Sequence, residues 1–353
     1  MLRIFSLLLI FFGFTFSVNA DDWRPTVKEA DWVQLTSGEW LRGDIKAFYN
    51  RTLEFDSKKL NLLEIDWEDI QYLESHISSI ARIENHGVAT GKIQLSGDTI
   101  KIINDEQTLE FNRDELISFI TGEIKESNYW SGKISLGVNV RSGNTDQKDY
   151  TAKANIKRRT SKTRLILDYA GNYSVVKSVE TINNHRFNFS LDYFKTRHFF
   201  YKPIFGEYFR DPFQNLDGKL TIGSGIGYTI VDDHKTEWSI STGPAYLYTQ
   251  YSSALPDESQ NESNPSLSFS TDYETEYSKT LDILAKYSLQ VSNKESGGLT
   301  HRAELTLENE ITGSFDLDIS LILDRIGSPR ANSDGTLPEK NDYKIVISVG
   351  YDF

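Results

Sequence analysis

The amino-acid sequence predicts an all-β protein: an antiparallel transmembrane β-barrel of about twelve strands, preceded by a small all-β module with two internal repeats. Three observations lead to this prediction. The chain begins with the pattern of a secretion signal, the region from Trp130 onward alternates apolar and polar residues, and the chain ends on such an alternating segment. Because successive side chains of a strand point to opposite faces, each segment has one apolar and one polar face. A strand that crosses a bilayer requires this pattern.

Residues 1–20 are predicted to be a secretory signal peptide. Arg3 precedes an apolar run from Ile4 to Phe16, and Val18-Asn19-Ala20 supplies small residues for cleavage. The run is too short for a membrane-spanning helix, and acidic residues follow it at once. An uncleaved N-terminal helix is the alternative interpretation.

Composition narrows the class of protein further. Cleavage after Ala20 removes one arginine and no acid, which takes the net charge from −13 to −14 and disfavours nucleic acid as a partner. Cysteine is absent, so we expect neither disulfides nor thiolate metal sites, and no cofactor. The 18 Tyr, 20 Phe and 6 Trp suit the aromatic girdles at the edges of a membrane barrel.

Residues 21–126 are predicted to form a periplasmic β module with two repeats, at about 31–75 and 83–122. Gly43-Asp44-Ile45 is followed by Leu53-Glu54-Phe55, and the same order recurs with Gly91-Lys92-Ile93 and Leu109-Glu110-Phe111. A period near fifty residues indicates two small β units packed on each other. We expect residues 27–120 to contact the cell wall or a periplasmic partner; the alternative is a rigid support without a ligand.

Residues 127–353 are predicted to form the barrel in the outer membrane of a Gram-negative cell. The alternating segments lie at residues 134–140, 150–156, 165–173, 187–193, 199–209, 220–230, 238–248, 267–277, 281–291, 303–311, 315–323 and 343–353. Connections after even-numbered segments are short, and most of those after odd-numbered segments are long and polar, including 175–185, 250–264 and 326–342. Bacterial barrels have short periplasmic turns, so both ends of the barrel domain are expected in the periplasm. A soluble β-sandwich is the alternative.

The final segment is predicted to close the barrel and to be read by the barrel-assembly machinery. Its outward register is apolar at every second position: Tyr343, Ile345, Ile347, Val349, Tyr351 and Phe353. An open sheet edge cannot exist in hydrocarbon, so the last strand must pair with the first. A terminal Phe on this register resembles the closing strand of bacterial outer-membrane proteins.

The start of the barrel domain resembles a known family. Trp130-Ser131-Gly132-Lys133-Ile134-Ser135-Leu136-Gly137 is followed by Ser142-Gly143-Asn144-Thr145. These segments resemble the family of salt-induced outer-membrane proteins catalogued as domain of unknown function 481, over residues 130–353. The G-x-I units before the barrel are also similar to some longer members. The resemblance implies an outer-membrane barrel, but it brings no established activity and no catalytic residues.

The residues between the outward ones are predicted to face the lumen and to line a pore. The basic set is Lys133, Arg141, Lys153, Lys157, Arg159 and Arg164, and the acidic set includes Asp272, Glu274, Glu304, Glu308, Asp316 and Asp318. If the lumen is wet, such opposed walls would orient polar solutes. The sequence therefore supports a narrow passive channel for small hydrophilic solutes or ions. The alternative is a closed scaffold in which these charges pair, since side chains can fill much of a bore of this size.

An outer-membrane lipid-modifying enzyme is a weaker alternative. It would need a nucleophile beside His185 or His301, which fall near the outer rim, and neither lies in a recognisable nucleophile motif. We therefore expect no enzyme activity. Outer-membrane lipid and lipopolysaccharide are the expected surroundings of the barrel.

Overall fold

The computed structural model describes residues 29–121, 126–143, 146–160, 162–233 and 235–353. The predicted signal peptide, residues 122–125 and the Asn144-Thr145 tip lie outside the described residues. In the described part the chain is all-β, as predicted, with a small module followed by a closed barrel of twelve strands. No helix in these ranges is both long and apolar enough to cross a membrane.

The N-terminal module contains ten short strands, which form one sheet. They are β1 (Asp31–Leu35), β2 (Trp40–Tyr49), β3 (Thr52–Ser57), β4 (Asn61–Asp66), β5 (Ile70–Glu74), β6 (Ser79–Ile83), β7 (Gly87–Ser96), β8 (Thr99–Ile103), β9 (Thr108–Asn112) and β10 (Leu116–Thr121). Six of them close into a ring in the order β1-β5-β7-β6-β10-β2, because β1 also pairs with β2. β3 and β4 extend the sheet beyond β2, while β8 and β9 extend it beyond β7.

The two halves of the module have the same order of elements. β2, β3 and β4 lead through a short 3-10 turn into β5, and β7, β8 and β9 lead through another into β10. Trp67 of the first turn is buried and packs on Phe48, with ring centroids 4.3 Å apart. Phe48 also stacks on Phe119 at 5.5 Å, so aromatic side chains from both halves share one core.

The barrel consists of twelve antiparallel strands, as predicted. They are β11 (Trp130–Arg141), β12 (Gln147–Arg159), β13 (Thr163–Val176), β14 (Val179–Phe194), β15 (Phe199–Asp211), β16 (Leu216–Asp232), β17 (Thr236–Tyr251), β18 (Asn261–Ser278), β19 (Leu281–Val291), β20 (Leu299–Thr312), β21 (Phe315–Ile326) and β22 (Asn341–Asp352). Each strand pairs with its neighbours in sequence, and β22 pairs with β11. The barrel therefore closes on its own last strand.

The connections give the barrel a short-turn end and a long-loop end. The short-turn end contains the turns after β12, β14, β16, β18 and β20, together with the chain terminus, and the other connections lie at the long-loop end. The long connection predicted at 175–185 is wrong. β13 and β14 continue to a turn at Lys177 and Ser178, whose φ angles are 49° and 64°. Their polar residues pair across the hairpin. Because a polar composition is also typical of loops, the sequence predicted a loop here.

Pro203 lies at a bulge in β15, the fifth barrel strand. The pairing of β15 with β16 shifts between Lys202 and Phe205. Proline has no amide hydrogen to donate to a ladder, so a bulge is the arrangement that accommodates it.

Apolar and aromatic side chains form the outer surface of the barrel. All six alternating residues of the last strand, from Tyr343 to Phe353, are on this exposed face. Backbone hydrogen bonds of 3.0 Å in both directions join Phe353 to Gly132. A Cβ at Gly132 would lie 2.7 Å from the Phe353 ring. Gly132, in the Trp130-Ser131-Gly132 segment, thus leaves space for the ring of Phe353.

Candidate functional site

The interior of the barrel is the candidate site, since the strands place most of their charged residues there. Arg141, one of the twelve predicted lining residues, lies on the inward register at the long-loop rim, opposite Gln147 of β12. That these residues line a conducting pore stays a prediction. Their contacts show which basic and acidic side chains bind each other.

Lys133 connects the first barrel strand to the acidic wall. Its Nζ lies 2.8 Å from Glu308, 2.8 Å from Asp316 and 3.1 Å from Asp318, which belong to β20 and β21. To reach them the side chain crosses β22 above Gly350, where a Cβ would lie 2.5 Å from Lys133 Cε. Because Gly350 has no side chain, one lysine can neutralise carboxylates two and three strands away.

Asp324 of β21 is a second centre of charge pairing. Its carboxylate accepts hydrogen bonds from Arg302 of β20 at 2.7 and 2.9 Å and from Arg186 of β14 at 3.0 Å. Arg186 also donates to Glu207 of β15, and its guanidinium lies 3.9 Å from the centre of the Phe209 ring. Since β14 and β21 are not neighbours in the ring, the Arg186–Asp324 pair crosses the lumen.

Further ion pairs cross the lumen at other levels. Arg164 of β13 donates to Asp192 of β14 at 3.0 Å and to Glu237 of β17. Lys286 of β19 lies 3.9 Å from Asp168 of β13, on the opposite side of the ring. Lys153 and Glu304 meet at 2.8 Å. Lys153–Glu304, like the contacts of Lys133, joins the two predicted walls directly, while the other pairs involve charges outside those walls.

The remaining predicted residues lie nearer the short-turn end. Arg159 is buried against the Phe194 ring, whose centre is 3.9 Å from the guanidinium, and its Nε and Nη1 have no hydrogen-bond partner. Lys157 pairs in register with Ser131, and Asp272 with Lys286. Glu274 occupies the inward register opposite Glu237.

Sequence reasoning missed several members of this network. The missed residues are Asp168, Arg186, Asp192, Glu207, Glu237, Lys286 and Arg302. Asp168, Asp192, Glu207 and Lys286 lie within predicted strands, where alternation alone could have found them. Arg186, Glu237 and Arg302 lie just before the predicted starts of their strands, which begin earlier in the structure. The sequence prediction considered groups of strands whose inward charges share one sign. It therefore left out cations that lie among acidic residues.

The module covers the short-turn mouth of the barrel. The Asn50 side-chain amide donates to Glu237 at 2.8 Å, from a tight turn between β2 and β3 with φ angles of 51° and 60°. Arg82 of β6 donates to the carbonyl oxygens of Phe194 and Lys195 at 2.6 and 3.3 Å. Burial raises the pKa of Glu64 on β4, and the nearby charges of Glu54 and of the barrel carboxylates Glu276 and Glu274 raise it further.

Loops cover the opposite mouth. Asn215, which is fully buried, donates to the carbonyl oxygens of Ser253 and Ala331 at 3.0 Å each and so joins two loops. Arg330 of the loop after β21 binds Glu258 and Glu262 at 3.0 Å and lies 4.8 Å from the centre of the Tyr251 ring. Tyr251 itself packs with Phe209 and Leu216 in a small apolar cluster.

Little free space remains between these two covers. A cavity in the long-loop half has room for about one water molecule. It is lined by Thr151, Lys153, Arg186, Arg302, Asp324 and Lys344, among other residues. Burial varies along the lumen: Ser320 is 0% and Asp192 is 1% exposed, whereas the side chains of Asp168 and Lys286 keep 31% and 44% of their surface exposed. The ion pairs that cross the lumen, Arg186–Asp324 and Arg164–Glu237 among them, narrow its axial passage.

The two histidines considered for an enzyme have tyrosine partners. The Tyr169 hydroxyl lies 2.9 Å from His185 Nδ1, and the Tyr287 hydroxyl lies 2.7 Å from His301 Nδ1. Among the described residues neither histidine hydrogen-bonds a serine hydroxyl, and no group of three or more acidic or histidine side chains could hold a metal ion. The hydrogen-bond partners of the two histidines are therefore tyrosine and asparagine side chains.

A family model matches the barrel region. The family model described as "Protein of unknown function, DUF481" matches residues 134–353, which is more than half of the chain. No curated protein matches the sequence.

Solved structures of outer-membrane proteins are similar to the barrel. The NanC porin is 9% identical and covers 63% of this chain and 98% of its own, with a TM-score of 0.39. The translocator domain of the autotransporter NalP from Neisseria meningitidis is 12% identical and covers 64% and 88%, with a TM-score of 0.33. An outer-membrane channel from Pseudomonas putida F1 is 8% identical and covers 65% and 100%, with a TM-score of 0.35. At these identities and TM-scores the likeness carries no argument about activity.

Proposed function

The chain belongs to the family of proteins of unknown function DUF481, and we propose that this outer-membrane β-barrel is a closed structural scaffold. Its lumen is filled by side chains that pair across it, and each mouth is covered. We place the short-turn end and the module in the periplasm, since bacterial barrels have short periplasmic turns. The last strand would be the segment that the barrel-assembly machinery reads.

One observation supports closure above the others: ion pairs join strands that are not neighbours. Arg186–Asp324 and Arg164–Glu237 each cross the lumen, and the four side chains are buried or half-buried. A buried charge without a partner costs several kcal/mol, roughly 3–5 when one member of a pair is removed. A solute that entered the lumen would have to separate these pairs, so the closed state is strongly favoured.

A narrow ion channel is the second candidate. The side chains of Lys133, Lys153 and Glu304 keep 15–20% of their surface exposed. Fixed charges of both signs along such a path would select among small ions. This reading keeps the pore-lining role predicted for these residues.

Conductance in planar lipid bilayers separates the two candidates. The closed scaffold predicts that the purified full-length protein gives no steps above the noise of the bilayer at high salt. The channel predicts small, reproducible steps. In that case Lys157→Glu should shift the reversal potential in a salt gradient, while Lys162→Glu in the exposed turn should not. Reproducible steps that Lys157→Glu alters and Lys162→Glu does not would overturn the closed scaffold.

A further inference from the structure

The seam that closes the barrel is paired over only part of its length. The β11–β22 register contains four residue pairs, from Lys133–Asp352 to Leu136–Val349. The β21–β22 register, in comparison, runs from Phe315–Tyr351 to Arg325–Asn341. The strands still touch at Gly137, where a Cβ would lie 2.6 Å from the Ile347 carbonyl oxygen. Beyond that point β11 and β22, both described along this stretch, form no pair with each other.

Side-chain exposure rises on both sides of the unpaired stretch. On β11 it increases from 43% at Ile134 to 66% at Val138, and on β22 from 46% at Tyr351 to 74% at Ile345. Outward residues of strands paired on both sides range from Ile319 at 38% to Tyr246 at 58%, and Val138 and Ile345 exceed both values. The seam is thus open in its long-loop half, where unpaired backbone groups would be costly against hydrocarbon alone.

A basic cavity in the long-loop half of the lumen reaches both strands that flank β11. Thr151 and Lys153 line it from β12, and Lys344 lines it from β22, which are the two strands on either side of β11. Arg186 and Arg302 complete a set of four cations around one lining carboxylate, Asp324. Of the four, Lys344 is the least engaged, since its Nζ is 3.9 Å from Asp324.

We propose that the long-loop half of the β11–β22 seam is a lateral binding site for a phosphorylated lipid. The lipid's acyl chain lies against the exposed apolar rows that contain Val138, Val140, Ile345 and Ile347. Its phosphate enters the gap, accepts hydrogen bonds from unpaired backbone N–H groups and meets the charge of Lys344. An amphiphile is favoured over a soluble anion because the opening joins an apolar outer face to a basic interior.

Lipid retention tests this site. Full-length protein is incubated in micelles with equal amounts of phosphatidylglycerol and phosphatidylcholine, and the lipids that remain bound are measured by native mass spectrometry. Phosphatidylglycerol should be retained in preference. Lys344→Gln should weaken that retention about fivefold, because one basic residue near an anionic lipid contributes about 1 kcal/mol. Lys177→Gln, in the exposed β13–β14 turn, should leave it unchanged.

Three outcomes would overturn the proposal. Equal loss of retention in both variants would indicate charge attraction to the surface as a whole. Unchanged retention in both variants would mean that the lipid lies outside the gap. Displacement of phosphatidylglycerol by inorganic phosphate would identify a soluble anion as the ligand.

Cysteine pairs test the opening itself, since the chain contains no cysteine of its own. Leu136→Cys with Val349→Cys occupies a formed pair and should give a disulfide on mild oxidation. Val140→Cys with Ile345→Cys occupies the same register in the unpaired stretch and should not. Bridging the second pair with a bis-maleimide should abolish phosphatidylglycerol retention. Equally fast disulfide formation in both pairs would mean that the seam is closed.

Discussion

Removal of the charge of Asp324 is expected to destabilise the barrel and loosen its interior. The carboxylate is 6% exposed and accepts hydrogen bonds from Arg186 and Arg302, and Lys344 lies 3.9 Å away. Asp324→Asn keeps the size of the side chain and leaves these cations without their shared anion. Breaking a buried pair costs about 3–5 kcal/mol. Arg186 keeps Glu207 and Arg302 keeps Glu304, so we expect the lower limit, about 3 kcal/mol.

The assay is urea unfolding of the barrel in lipid vesicles, followed by tryptophan fluorescence. Asp217→Asn is the matched control, because Asp217 forms an exposed pair with Arg210 at 3.7 Å. Exposed pairs contribute about 0–1 kcal/mol, so the control should unfold almost as the unaltered protein does. A loss of unfolding free energy in Asp324→Asn no larger than in Asp217→Asn would refute the view that the cross-lumen network stabilises the barrel.

Three further predictions concern Gly350, the module and pH. Gly350→Val should push Lys133 away from its three carboxylate partners, Glu308, Asp316 and Asp318, and lower the unfolding free energy by about 3 kcal/mol. Gly313→Ala is the control and should cost under about 1 kcal/mol, because open space surrounds Gly313. Equal effects of the two substitutions in urea unfolding would contradict the role of Gly350. Arg82→Ala removes the two hydrogen bonds to Phe194 and Lys195 and should speed proteolytic release of the module, while Arg42→Ala should not; unchanged release would mean that Arg82 does not hold the module.

Burial raises the pKa of Glu54 and of Glu64, so the folded module favours their protonated forms. Their contribution to stability is complete below the ordinary glutamate pKa of about 4.3 and is lost as pH rises through the raised folded values. The unfolding free energy of the module should therefore increase as pH falls from neutrality. The double variant Glu54→Gln with Glu64→Gln should show a weaker dependence of unfolding free energy on pH in thermal unfolding. An unaltered pH dependence in this variant would contradict the role of the two glutamates.

The barrel could be predicted from the sequence because a bilayer imposes a strict period of two. Twelve strands, the closing segment and the charged lumen all follow from which residues alternate. The limits of hairpins did not follow, since residues 179–185 are mostly polar yet continue β14 as paired strand. Side-chain polarity reports exposure to water or lumen, and it does not report whether the backbone pairs.

Contacts between distant segments could not be predicted either. Nothing in the sequence around Asn50 indicates that it meets Glu237, and the pairing of Arg186 with Asp324 depends on how the ring closes. The short pairing between β11 and β22 could not be predicted either, because apolar and polar residues alternate along the whole length of both strands. Such features follow from the shear and closure of the barrel, which local patterns do not encode.

Thiol reactivity at the centre of the lumen tests the claim of a closed interior most directly. Ser320 is 0% exposed and the chain has no cysteine, so Ser320→Cys places a single thiol there. A charged, water-soluble thiosulfonate should leave this thiol unmodified in the folded protein over the time in which it fully labels Ser142→Cys in the exposed connection after β11. Labelling of the two variants at similar rates would mean that water and ions pass through the barrel.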